Sequence, residues 1–470
     1  MLDNLNKNKY GIVYTPNNLV KQMLNIIPKN LLQNQSLKWL DVGAGTGNFS
    51  QELFDLLNEN LKQLIPDNDK RHNHILDNML FMIEIYEPHI EILREKFKNN
   101  KNNKNIIFQD FLTFNPDFQF DFIIGNPPYN LNGAIKTPTN QKLQKKNDGK
   151  SSYVDFVIKS LNLLKDNGHL LLIIPTIWLK PDKAGLYNCL TNLNIKYLQC
   201  FSASQTMKLF DYKAQTPTCF FLIEKTPAIN NNINNNINNI NNNHQKIIPI
   251  FDSIERKPIN YYLNNNFPIP TNGIEIVNKL INYVNQIGHL KVEKSTTPSK
   301  KCKITKTPPE AININFYENI TTCRLDNLNP KLVINYSDLV CSYKNIKKLV
   351  LAHKMYGFPF FDETGKYGIS ARDNYIISEK DYTLQELKQI QKFLSTKFAI
   401  FMFSLTNYRM RYLEKSAFYF LPDITKIKDF PDLLDLKKNE LNNKIADFFN
   451  FSQKTRETIE KSQKNYDFFI

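Results

Sequence analysis

The most constraining feature of the chain is an alternation, over residues 1–225, of short apolar runs with longer segments that have a helical spacing of apolar residues. Short strands that alternate with helices are typical of a doubly wound α/β fold with a largely parallel sheet. The predicted strands cover residues 38–42, 79–85, 105–108, 120–124, 170–174 and 218–224. The alternation therefore predicts an α/β domain for the first half of the chain.

A glycine-rich loop, residues 41–47, follows the first predicted strand and opens a helix. Gly43, Gly45 and Gly47 allow the backbone to turn tightly and to approach a ligand closely. Such a loop serves a dinucleotide or S-adenosylmethionine, but the spacing here is G-x-G-x-G rather than G-x-G-x-x-G. The carboxylate of Asp41 disfavours a neighbouring pyrophosphate and tolerates a cationic methionine group. The loop therefore favours S-adenosylmethionine.

Acidic and aromatic residues follow the next two predicted strands. Glu84 ends the second strand and Glu87 comes three residues later, where an acid in such a fold commonly binds the ribose hydroxyls. Asp110 and Phe111 follow the third strand, where a carboxylate can accept from an adenine amine and a phenyl ring can pack on the purine. Solvation of a strand end would also explain Glu84, and core packing would also explain Phe111.

The segment Asn126-Pro127-Pro128-Tyr129 directly follows the fourth predicted strand and Gly125. Two prolines fix φ and remove two N–H donors, which leaves a rigid, extended loop with free carbonyl acceptors. With its flanking amide and tyrosine ring, the loop can accept two hydrogen bonds from a planar NH2 group and stack on the ring that carries it. This suits the exocyclic amine of a base, although a tight loop is the simpler interpretation of an isolated match.

Tyr14-Thr15-Pro16 precedes a predicted helix over residues 17–27. Thr15 suits the N-cap and Pro16 the first turn of that helix. Capping alone would explain both residues without any ligand.

In this order, the motifs resemble those of the gamma-class DNA adenine-N6 methyltransferases, the methylases of type II restriction–modification systems. The resemblance covers roughly the first half of the chain and implies a Rossmann-like S-adenosylmethionine-dependent methyltransferase domain. It implies cofactor contacts at Tyr14, Thr15, Pro16, Asp41, Gly43, Ala44, Gly45, Gly47, Glu84, Asp110, Phe111 and Asn126. It implies catalysis by Asn126, Pro127, Pro128 and Tyr129, and stacking on the base by Tyr129, Phe220 and Phe221.

The chain departs from the family's pattern near the ribose. The family usually has Asp-Pro soon after the acid of the second strand, whereas Tyr86 and Glu87 precede Pro88 here. Either Glu84 or Glu87 therefore binds the ribose. In the predicted strand over residues 218–224, the register is open, so Phe220 and Phe221 are both candidates for the contact with the base.

The chain is strongly basic, with 60 Lys and Arg against 45 Asp and Glu and a net charge of +15. This balance favours an anionic partner, first of all nucleic acid, although an AT-rich genome would also enrich lysine and asparagine. One basic stretch contains Lys291, Lys294, Lys300, Lys301, Lys303 and Lys306. We expect double-stranded DNA as the partner, with a cognate restriction endonuclease as a candidate second partner.

A chain of 470 residues is expected to form two domains. We predict a catalytic domain over residues 1–228, a disordered asparagine-rich linker over 229–245 and an α+β target-recognition domain over 246–470. The six cysteines have no CxxC spacing, so we expect no metal site. No signal peptide and no apolar run of membrane-spanning length is visible, so we expect a cytoplasmic, soluble monomer.

These expectations describe a site-specific enzyme that methylates N6 of an adenine flipped out of DNA. A protein-glutamine N5 or an RNA adenine-N6 methyltransferase shares the four-residue motif and is the alternative within the same chemistry. A catalytically inactive DNA-binding specificity protein is the alternative from a different class. The basic second half and the segment Tyr14-Thr15-Pro16 favour DNA.

Overall fold

A computed structural model shows a chain divided into two compact units. The first unit comprises Met1–Phe251 and Pro258–Asn266, and the second comprises Asp252–Lys257 and Phe267–Ile470. The structure describes residues 13–98, 104–129, 152–181, 184–228, 230–231, 245–264, 266–308, 316–326, 329–353, 355–409 and 413–462. The first unit therefore extends beyond residue 228, where the sequence analysis ends the catalytic domain.

The first unit is built on one sheet. Its strands are β1 Trp39–Val42, β2 Leu80–Glu84, β3 Ile106–Phe108, β4 Phe120–Gly125, β5 Leu164–Pro175, β6 Leu193–Phe201, β7 Thr218–Pro227, β8 Asn230–Asn231, β9 Gln245–Asp252 and β10 Lys257–Leu263. The main path has the order β10-β9-β6-β7-β5-β4-β1-β2-β3, and β8 pairs with β9. Neighbours among β1 to β5 are parallel, whereas β7 lies antiparallel between β5 and β6. The predicted Rossmann-like α/β fold is confirmed.

Helices pack on this sheet through apolar faces. They are α1 Asn17–Leu24, α2 Lys29–Leu32, α3 Asn48–Asn60, α4 Asn68–His74, α5 Glu87–Lys96, α6 Tyr153–Leu163, α7 Leu186–Thr191 and α8 Ala203–Leu209. Leu19 of α1, Leu53 of α3 and Leu93 of α5 belong to one buried core with Trp39 and Phe122. The last two rings stack across the β1–β4 pair with centroids 4.4 Å apart, which fixes the register of these two strands.

The asparagine-rich tract begins and ends in paired strands. Asn230–Asn231 form β8, which pairs antiparallel with Gln245 and Lys246 of β9. The predicted linker over 229–245 is therefore structured at both ends, and residues 232–244 lie outside the described part of the chain. The boundary between the units falls later than predicted, because β9 and β10 extend the sheet of the first unit.

The second unit combines largely antiparallel strands with helices, as an α+β domain does. Its strands are β11 Glu293–Lys294, β12 Ile304–Thr305, β13 Tyr317–Asp326, β14 Asn329–Ser337, β15 Lys348–Ala352, β16 Met355–Asp362, β17 Gly368–Ile369 and β18 Asn374–Ser378. Two four-stranded sheets have the orders β11-β18-β15-β16 and β12-β14-β13-β17. The helices are α9 Ile274–Ile287, α10 Leu384–Leu394, α11 Lys397–Ser404, α12 Lys438–Phe448 and α13 Gln453–Ser462.

Membrane-spanning helices and metal-binding clusters are both absent from the described residues. No helix within these ranges combines the length and the apolar character needed to cross a membrane. The same residues contain no group of three or more His, Cys, Asp or Glu side chains arranged to hold a metal ion.

Candidate active site

The carboxyl ends of β1, β2 and β4 bring three of the predicted motifs together. Val42 at the end of β1 pairs with Ile83 of β2 on one side and with Gly125 of β4 on the other. The glycine loop, Glu84 and Asn126 follow these residues directly. Because the strands are parallel, all three motifs lie at the same edge of the sheet, where α/β folds bind their ligands.

The glycine loop adopts a backbone that glycine alone accommodates easily. Gly43, Gly45 and Gly47 have φ angles of +70°, +56° and +83°. The N–H groups of Gly43 and Ala44 both donate to the carbonyl of Ile83 at 3.0 Å, which ties the loop to β2. A β-carbon at Gly47 would lie 2.8 Å from a leucine side chain of α5, so close packing also requires glycine there.

The carboxylate of Asp41 is buried under this loop with only one of its oxygens paired. Ser50 Oγ donates to Oδ2 at 2.6 Å, whereas Oδ1 is buried and has no hydrogen-bond partner among the described residues. Burial, assisted by the nearby charge of Glu84, raises the pKa of Asp41 to about 7. Asp41 therefore supplies an unused acceptor and a proton-binding group next to the glycine loop.

Glu84 is buried, and its carboxylate faces the backbone of two loops. Oε2 accepts from Gly45 N at 2.7 Å, and Oε1 accepts from Ile85 N and Tyr86 N at 2.9 and 2.8 Å. Three N–H donors hold the carboxylate in one orientation. Glu87 differs, because it lies exposed on the first turn of α5.

Asp110 and Phe111 lie at the end of β3. Asp110 Oδ1 accepts from Leu112 N at 2.9 Å and caps a short 3-10 turn. The Phe111 ring is buried and lies 5.1 Å from the ring of Phe156 in α6. Part of the Phe111 ring therefore packs in the core, as one of the two interpretations of this residue expects. Its contact with a purine stays a prediction.

Asn126 is oriented by hydrogen bonds to its amide nitrogen. Nδ2 donates to Thr15 Oγ1 at 3.0 Å and to the carbonyl of Val13 at 3.3 Å. These two acceptors require the nitrogen on that side of the amide. Oδ1 on the other side is buried and has no partner among the described residues. The site thus contains a fixed, buried and unused carbonyl acceptor.

The N-terminal segment is tied to both loops instead of capping its helix. Helix α1 begins at Asn17, and its N-cap residue Pro16 makes no side-chain capping bond. Thr15 is buried, its hydroxyl accepts from Asn126, and its carbonyl accepts from Asn48 Nδ2 at 2.9 Å. The capping interpretation of Thr15 is therefore wrong, and the sequence analysis missed Asn48.

The proline loop is anchored by residues on either side of it. Tyr129 is half-buried and its hydroxyl donates to the carbonyl of Ile173 in β5 at 3.5 Å. Burial raises the pKa of this hydroxyl, so Tyr129 stays neutral. Ser152 donates its hydroxyl to Pro128 O at 2.5 Å and its N–H to Tyr129 O at 3.3 Å. The carbonyl of Pro127 accepts no hydrogen bond from any described residue.

The structure does not bring Phe220 or Phe221 to the site. Both rings are fully buried in the middle of β7, where Phe220 stacks on Tyr197 at 5.7 Å and Phe221 packs against Trp178 at 5.6 Å. Both side chains have no exposed surface, so neither ring has a face open to a base in this structure. The aromatic residue that is exposed on the segment before β7 is Tyr212, with 68% of its surface accessible.

Comparisons with known proteins match the part of the chain that contains these motifs. Residues 7–210 match the model of the Eco57I restriction-modification methylase family. This region of the chain is therefore similar to restriction-modification methylases. The resemblance of the motifs is thereby confirmed for this part of the chain.

Curated relatives match the methylase region over part of their length. An uncharacterized adenine-specific methylase of Mycoplasma pneumoniae is 25% identical over 254 residues, which cover 38% of this chain and 57% of the relative. The type II methyltransferase M.TthHB8I of Thermus thermophilus is 37% identical over 91 residues, 17% of this chain and 21% of the relative. The chain therefore matches about half of the first relative and less of the second.

A solved structure is also similar. The M protein of the type I restriction enzyme EcoKI aligns with 51% of this chain and 48% of its own, at 16% identity and a TM-score of 0.35.

Proposed function

We propose that the protein transfers a methyl group from S-adenosyl-L-methionine to N6 of an adenine flipped out of double-stranded DNA. The observation that carries this proposal is the amide of Asn126, whose nitrogen is fully engaged and whose oxygen is buried without a partner among the described residues. An unpaired buried acceptor costs stability, so its position is best explained by a donor on the substrate.

The residues around the glycine loop fit S-adenosylmethionine. The positive φ angles leave space for close approach, Asp41 offers a buried acceptor, and Glu84 offers a carboxylate held in place. A cationic ligand beside Asp41 would also relieve the burial of its negative charge. When bound, this cofactor supplies the electrophilic methyl group.

The chain's own residues orient and activate the base. Flipping costs a few kcal/mol, which stacking on Tyr129 partly offsets. Asn126 Oδ1 and Pro127 O accept the two N6 hydrogens, which turns the nitrogen lone pair out of conjugation with the purine. Orientation and preorganised acceptors provide most of the rate. Once N6 carries the methyl group, one of its protons is released.

The partner and the location follow from the same proposal. Double-stranded DNA is the proposed substrate, and the second unit, which makes up most of residues 246–470, is the proposed target-recognition part. The relatives named adenine-specific and type II methyltransferases support adenine in DNA. We further propose a cytoplasmic monomer, with a cognate restriction endonuclease as its functional counterpart.

Asn126→Ala tests the proposal directly. Loss of a preorganised acceptor should reduce methyl transfer to DNA at least about 100-fold. Thr15→Val is the matched control, because it removes one acceptor of Asn126 Nδ2 and keeps the amide oxygen. We expect a loss of about tenfold or less for this control, as for one hydrogen bond. The measurement is transfer of labelled methyl to duplex DNA, with cofactor binding measured in parallel.

The alternatives make different predictions in the same assay. A glutamine or RNA methyltransferase would label a peptide or RNA in preference to duplex DNA. An inactive specificity protein would bind DNA and fail to label any of the three. Equal labelling by wild type and Asn126→Ala would refute the assigned role of the amide.

A further inference from the structure

A buried histidine lies between Tyr14 of the N-terminal segment and the carboxylate of Glu84. His89 lies in the first turns of α5 with 3% of its surface exposed. Its Nε2 lies 2.9 Å from the hydroxyl of Tyr14, and its Nδ1 lies 3.7 Å from Glu84 Oε2. None of the motifs in the sequence includes this residue, and core packing alone would accept an apolar side chain there.

The two nitrogens of His89 have different surroundings. Nε2 is paired with a hydroxyl, which can donate or accept, whereas Nδ1 is buried and has no hydrogen-bond partner among the described residues. Because Nδ1 faces a carboxylate oxygen, the proton is favoured on Nδ1, with the Tyr14 hydroxyl donating to Nε2. His89 therefore points a donor at Glu84 across a gap slightly longer than a hydrogen bond.

Glu84 already accepts from three N–H donors, but its two carboxylate oxygens do not receive the same number of them. Two of them serve Oε1 and one serves Oε2. A small shift of the carboxylate or of the histidine would bring Nδ1–H into hydrogen-bond range of Oε2. Such a fourth donor would fix both oxygens at the moment when ribose hydroxyls approach them.

We propose that His89 is a positioning residue for the ribose-binding carboxylate of Glu84, with its ring held in place by the hydrogen bond from the Tyr14 hydroxyl. This inference rests on the proposed use of S-adenosylmethionine and deepens it. It assigns the ribose to Glu84 rather than to the exposed Glu87. It also gives a role to the hydrogen bond between Tyr14 and His89.

The test compares two ligands and two substitutions in the full chain. The ligands are S-adenosylhomocysteine and its 2′,3′-dideoxy analogue, which lacks the ribose hydroxyls. His89→Leu removes the donor, and His89→Asn keeps a donor near the position of Nδ1. Dissociation constants are measured by titration calorimetry, and the thermal midpoint of each variant reports its folding.

We expect His89→Leu to weaken S-adenosylhomocysteine about tenfold, as for a hydrogen bond to a charged group. His89→Asn should lose less, and the dideoxy analogue should bind wild type and both variants about equally. Equal weakening of both ligands by His89→Leu would show a structural role and overturn the inference, as would no weakening of either. Failure of wild type to bind S-adenosylhomocysteine would refute the proposed function itself and this inference with it.

Discussion

At the scale of single residues, two buried oxygens without partners define the site. Oδ1 of Asp41 and Oδ1 of Asn126 are both buried, and both lack a hydrogen bond from any described residue. Their neighbours orient them: Ser50 donates to the other oxygen of Asp41, and Thr15 accepts from the amide of Asn126. Groups of this kind lower stability and are retained where a ligand completes them.

The pKa of Asp41 predicts how stability depends on pH. Its pKa rises from 3.8 to about 7 on folding, so the folded chain binds this proton more tightly than the unfolded chain. The contribution of protonated Asp41 to the free energy of unfolding is therefore fully present below about pH 4. It is lost as the pH rises through about 7, and the loss is at most about 4 kcal/mol. Asp41→Asn, which keeps an acceptor for Ser50, should remove this component.

The check on Asp41 is urea unfolding of wild type and Asp41→Asn at about pH 5 and pH 8 without cofactor. Wild type should lose more free energy of unfolding between the two conditions than the variant does. An identical pH dependence in the two proteins would show that Asp41 ionises normally.

Residue types and order predict which side chains form the site, but not their orientation. Asp41, Glu84 and Asn126 are predictable because each belongs to the end of a strand that parallel pairing brings to one edge. The fixed amide of Asn126 depends on Thr15, more than one hundred positions away, and no local pattern reveals such a bond. The sequence also does not reveal that Phe220 and Phe221, which point to opposite faces of β7, are both fully buried, so their contact with the base stays a prediction.

At the scale of elements, the turn from β4 into the proline loop depends on Gly125. Its φ is +146°, and a β-carbon there would lie 2.7 Å from the carbonyl oxygen of Val42. The strand can therefore end beside β1 and deliver Asn126 only if residue 125 has no side chain.

Gly125→Ala should lower the free energy of unfolding by about 1–3 kcal/mol through overpacking and backbone strain. Gly185→Ala is the matched control, since Gly185 also has a positive φ, +75°, but open space where a β-carbon would lie. The control should lose less stability, as measured by denaturant unfolding. Equal losses would mean that the backbone of Val42 relaxes freely around the added carbon.

The sequence predicts the strands with continuous apolar runs, but it does not predict the strands that contain glycine, proline or polar residues. The alternation predicts β1 to β4 nearly to their ends, because their apolar runs are continuous. It starts the next strand at residue 170, whereas β5 begins at Leu164 and runs through Gly168. It also misses β9, where Pro249 removes a donor and argues against a strand.

At the scale of the whole molecule, the basic stretch of the second unit separates into two kinds of lysine. Lys291 and Lys294 pair with Asp381 and Asp373 at 2.9 and 2.7 Å. Lys300, Lys301, Lys303 and Lys306 are exposed and form no ion pair with any described residue. The first pair therefore serves the fold, and the other four remain available for phosphates.

Lys301→Ala with Lys303→Ala should weaken binding to duplex DNA and flatten its salt dependence, by about 0.9 in the log–log slope for each phosphate that the protein no longer neutralises. The double variant Lys291→Ala with Lys294→Ala removes the same charge and should change this slope less. Fluorescence anisotropy titrations at several salt concentrations measure both. A larger change in the control would place the DNA on another surface of the second unit.

The proposed role of the Asn126 amide is to accept a hydrogen bond from the adenine amine that is methylated in DNA. The most direct test is methylation-sensitive sequencing of DNA from cells that express wild type or Asn126→Ala. We predict N6-methyladenine at one recurring sequence motif with wild type and none at that motif with the variant. Unmethylated DNA with wild type, or the same methylated motif with both proteins, would contradict the claim.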